Sequence, residues 1–62
     1  MDIDVGRIKV LEFLNSERIN KRNIATLYGL NYQDVGNYLN GKIKSKQANE
    51  LIITIIRDYS IK

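Results

Sequence analysis

Cysteine, histidine and proline are all absent from this 62-residue chain. Without cysteine there is no disulfide, no thiolate nucleophile, and no iron–sulfur or cysteine zinc site. Without histidine the commonest general base and the commonest metal ligand are missing. Ser16, Ser45 and Ser60 have no imidazole to activate them, and no phosphate-cradling glycine loop occurs. The chain is therefore expected not to be an enzyme and to need neither metal nor cofactor. Long apolar runs are missing too. The longest is Leu51-Ile52-Ile53, then Thr54, then Ile55-Ile56, far short of the roughly 18 residues of a membrane span. The opening Met1-Asp2-Ile3-Asp4 is acidic and precedes no apolar run, unlike a secretory signal. A soluble, cytoplasmic protein is expected.

A chain this short is one domain, 1–62, which buries only about 60% of the surface its unfolded form exposes. With no disulfide to staple it, tight helix packing or oligomerisation must stabilise the fold. The composition, 44% hydrophobic and 27% charged, is that of an ordered globular protein rather than a disordered one.

The net charge is +3 with a pI near 9.4, a mild excess whose distribution says more than its size. Arg18, Lys21, Arg22, Lys42, Lys44 and Lys46 are opposed between residues 18 and 46 by Asp34 alone, a local net of +5. The rest of the chain is net −2. A basic middle between slightly acidic ends suits a face that meets phosphates.

Apolar residues recur three and four apart, and strand-like alternation is never sustained, so the expected class is all-α. A first helix from about Ile3 to Asn15 carries the stripe Val5, Ile8, Leu11 and Leu14, widened by Val10 and Phe13. Asp2 and Asp4 stand in its first turn, where they favour the helix dipole. Asn20 can cap a second helix, with Ile19 stapled onto Ile24, and Gly29 ends it in the left-handed conformation. Asn31 can cap a third helix, with Asp34 placed for a reciprocal capping bond. Val35, Tyr38 and Leu39 form the buried side of that helix, and Asn40-Gly41 stops it. Ser45 can cap a fourth helix bearing Ala48, Leu51, Ile52, Ile55, Ile56 and Tyr59.

Two short helices joined by a glycine-containing turn, between about residues 20 and 42, have the form of a helix-turn-helix. A small residue at Ala25 lets the helices cross closely, Gly29 makes the turn, and Val35 packs into the angle. The run Ile24-Ala25, Gly29-Leu30-Asn31 and Val35, closed by Leu39-Asn40-Gly41-Lys42, resembles the Cro and phage-repressor class, the lambda-repressor-like helix-turn-helix family. The linker Lys42-Ile43-Lys44 departs from it in being short and free of proline.

The resemblance implies a compact four-helix domain that binds operator DNA as a symmetric pair, a small phage- or mobile-element-type repressor. It assigns base contacts to Tyr32, Gln33 and Asn37, and backbone contacts to Lys21, Asn40 and Lys42; Arg22 and Lys44, cations of the basic middle, are expected at the DNA backbone as well. The chemistry agrees: Gln and Asn amides can bond bidentately to adenine in the major groove. Gly36, between Gln33 and Asn37, would let the helix approach closely. The fourth helix has more apolar residues than so small a core is expected to hold, so Ile52, Ile56 and Tyr59 are expected at a homodimer interface. The alternative is a protein-interaction module, an antirepressor or co-regulator that binds another protein through that apolar helix.

Overall fold

The computed structural model describes residues 3–62; Asp2 lies outside them. Four helices follow one another: α1 (Ile3–Ser16), α2 (Lys21–Tyr28), α3 (Tyr32–Leu39) and α4 (Lys46–Asp58). No strand occurs among the described residues. Helix α2 packs on α3, α1 on α4, and α3 lies against both α1 and α4.

Three helices begin with side-chain caps at the residues expected. The Asn23 backbone N–H donates to Asn20 Oδ1 at 2.8 Å, Gln33 N–H to Asn31 Oδ1 at 2.7 Å, and Ala48 N–H to Ser45 Oγ at 3.2 Å. Each bond satisfies one of the donors that a helix start leaves orphaned. Asp34 makes no bond back to Asn31, so the expected capping box is only half formed.

All four helices stop in one way. After each, a residue with positive φ reverses the chain, and the N–H beyond it donates to the carbonyl five residues back, as in the Schellman motif. Ile19 N–H donates to Leu14 O, Leu30 to Ala25 O, Lys42 to Asn37 O and Ile61 to Ile56 O, all at 2.8–2.9 Å. The reversing residues are Arg18, Gly29, Gly41 and Ser60. Glycine takes that conformation without a Cβ penalty, whereas Arg18 and Ser60 take it under strain.

The core joins Val10 and Leu14 of α1, Ile24 and Ala25 of α2, Val35 and Leu39 of α3, and Leu51, Ile52 and Ile55 of α4. Two expectations are corrected here. The inward stripe of α1 is Gly6, Val10 and Leu14, while Val5 and Ile8 face outward. That rotation is required by neighbours: it brings Phe13 against the Tyr59 ring at 5.4 Å between centroids and points Arg7 at the end of α3. The apolar stripe of α4 is absorbed by the core. Ile52 is 2% exposed and can touch no partner, while Ile56 and Tyr59 are half-buried against the core. Only Ile53 among the large apolar residues of α4 stands exposed. Tyr38 packs against the core, as expected.

Candidate nucleic-acid interface

The elbow between α2 and α3 is built from the three residues that the sequence singles out. Ala25 is buried where α2 crosses α3, and Val35 is fully buried in the angle. Gly29 has φ +67°, yet an added Cβ there would meet nothing within 4 Å. Backbone conformation, not space, therefore demands glycine at this point. The elbow is also tied to α4: the Tyr28 hydroxyl donates to Asp58 Oδ2 at 2.8 Å. Burial, and then that hydrogen bond, push the phenol up to about 12.

Beyond the elbow, Asn31, Tyr32, Gln33 and Asp34 are exposed, Val35 turns inward, and Gly36 and Asn37 are half-buried. Gln33 and Asn37 stand one turn apart on the outer side of α3. Their side-chain amides make no hydrogen bond among the described residues, so donors and acceptors remain open to a ligand. Gly36 beside them has no atom within 4 Å of where a Cβ would lie. Its lack of a side chain serves no neighbour in the chain. Helix α3 carries no cation, and Asp34 is its one charge.

The cations stand around this surface. Lys21 Nζ donates to Asn40 Oδ1 at 3.0 Å, bringing the start of α2 to the end of α3. The Arg22 guanidinium lies over the Tyr32 ring, 4.7 Å from its centroid. Lys42 follows Gly41 in the turn after α3 and is exposed. Lys44 is drawn away toward α1, where its ammonium donates to Asp4 at 3.4 Å. Four of the five residues expected at the DNA backbone thus flank α3, and the fifth is held by an acid.

Arg7 has a role that sequence reasoning missed. Its Nη1 donates to Leu39 O at 3.3 Å, its Nε lies 3.8 Å from Asp4, and its Cζ would stand 2.9 Å from a Cβ at Gly41. An arginine of α1 therefore supplies the cation that α3 lacks in its last turn, complementing the carbonyl end of the dipole. It holds the turn that carries Asn40 and Lys42. The one available signal was a cation at the edge of an apolar stripe, which is no different from any surface arginine.

A shallow groove of about 260 Å³ runs between Tyr28, Leu30, Tyr38 and Leu51. No group of three or more acidic, histidine or cysteine side chains converges on a metal position among the described residues. No helix there is long and apolar enough to cross a membrane. No protein-family model, curated protein or solved structure matches the chain.

Proposed function

We propose that this protein is a sequence-specific regulator that binds double-stranded DNA, with α3 in the major groove. The observation that carries the reading is the pair of uncommitted amides, Gln33 and Asn37, on the outer side of a helix that follows a tight elbow. Lys21, Arg22, Asn40 and Lys42 frame that helix with groups suited to phosphates. Gln33 and Asn37 read adenine edges, each worth about 1–3 kcal/mol of discrimination. The resemblance to Cro-type repressors supports the same assignment from the motif residues.

Two copies on a symmetric operator would present their α3 helices about 34 Å apart. Burial of Ile52 removes one residue of the α4 pairing surface expected from sequence. The same burial weakens the alternative of a module that binds a protein through α4.

The test is selection of bound duplexes from a random library, followed by fluorescence anisotropy on the selected and random duplexes. With three cations engaged, Lys21, Arg22 and Lys42, log K against log salt should fall with a slope of about −2.7 per protomer. Enrichment of a sequence containing adenine steps, lost in Gln33→Ala and Asn37→Ala, supports the reading. Failure to bind any duplex, or binding without a slope, refutes it. Sedimentation of the complex counts the copies bound.

A further inference from the structure

Arg22 is expected at the DNA backbone and Tyr32, from the resemblance, at the bases, as separate contacts. We propose instead that Arg22 and Tyr32 form one phosphate-binding unit, in which the Tyr32 ring is a shelf for the guanidinium and reads no base. The proposal rests on the DNA-binding function proposed above and names the part of the ligand, a backbone phosphodiester, that these two residues take.

Arg22 is exposed and has no acidic partner among the described residues. What it touches is the ring of Tyr32, at 4.7 Å from the centroid. A guanidinium placed over a ring is held there by the ring's electrons and keeps N–H donors available to a further partner. Those donors have the geometry to bond two oxygens of one phosphate, which an ammonium cannot match. Tyr32 is committed on the face that Arg22 covers, and its hydroxyl makes no hydrogen bond among the described residues. The ring alone is thus what the arginine needs.

The unit also spans the elbow. Arg22 lies in the first turn of α2, whereas Tyr32 is the first residue of α3 and immediately precedes Gln33. A phosphate held by the guanidinium therefore sets how deeply the start of α3 enters the groove. Tyr32 is a positioning residue that acts through Arg22, and discrimination falls to Gln33 and Asn37.

The experiment measures anisotropy for wild type, Arg22→Lys, Arg22→Met, Tyr32→Phe, Tyr32→Leu and the double variant Arg22→Lys/Tyr32→Leu. Each is titrated with the selected duplex and with a random one across a salt series. Both side chains are surface groups, and circular dichroism melts check that every variant is folded. Arg22→Lys and Tyr32→Leu should each weaken both duplexes by about 2- to 5-fold, the worth of an exposed cation–π contact. The ratio between the duplexes should stay constant. Tyr32→Phe should match wild type, and the double variant should be no weaker than Arg22→Lys alone. Arg22→Met should lower the salt slope by about 0.9, while Arg22→Lys keeps it. A Tyr32→Leu loss confined to the selected duplex, or losses that multiply in the double variant, would overturn the unit while leaving DNA binding intact. A wild type that binds neither duplex would refute the proposed function itself.

Discussion

Replacing Gly36 by alanine separates what the fold needs from what its ligand needs. Gly36 is the fifth of eight residues in α3, without positive φ, and a Cβ there would meet nothing within 4 Å. The fold should therefore gain the full helix propensity of alanine over glycine, about 0.8–1 kcal/mol, with no steric charge against it. For a domain of this size that corresponds to about 4–8 °C in Tm. The added methyl points from the side of α3 that carries Gln33, where the duplex is proposed to pack. A methyl forced into a close-packed contact costs about 1–3 kcal/mol, so DNA affinity should fall on the order of 10-fold. Thermal melts followed by circular dichroism and anisotropy on the selected duplex measure the two effects on one preparation. A lower Tm would mean that the fold itself requires the glycine. A higher Tm with unchanged affinity would place position 36 away from the DNA.

Other predictions concern the ends of the helices and the ties between them. Arg18→Gly and Ser60→Gly should each raise stability by about 0.5–1 kcal/mol, because each relieves a left-handed non-glycine residue; denaturant titrations showing losses would refute the Schellman reading. Arg7→Met should lower stability by about 1–2 kcal/mol by stripping the cation from the end of α3, and an unchanged unfolding midpoint would exclude that role. The pH dependence follows from Tyr28, whose phenol rises from 10.0 to about 12 on folding. The folded chain holds this proton more tightly, so its contribution is intact below pH 10 and is lost as pH climbs through about 12. Urea titrations across that window should show a shallower decline for Tyr28→Phe, and parallel slopes would contradict the assignment.

The local parts of this protein were legible because local chemistry specifies them. Asn20, Asn31 and Ser45 cap helices in the positions read from the chain, since a side-chain oxygen reaches an orphan N–H only two or three residues away. Gly29 and Gly41 end helices because left-handed backbone selects glycine. Arg18 and Ser60 do the same work and were missed, as nothing in an arginine or a serine announces that conformation.

What the tertiary structure decided is which side of each helix faces in and which surface groups meet. Val5, Ile8, Leu11 and Leu14 have the spacing of a buried stripe, and so do Gly6, Val10 and Leu14. The choice between them lies with Tyr59 and the end of α3, some thirty to fifty residues away in sequence. Ile52 looked available for pairing because a count of apolar residues cannot reveal how much core three other helices provide. The contacts of Lys21 with Asn40, Arg22 with Tyr32, and Arg7 with Leu39 join different helices. Sequence periodicity reports the angle of a residue around its own axis, whereas such contacts depend on where a second axis lies, and only packing sets that.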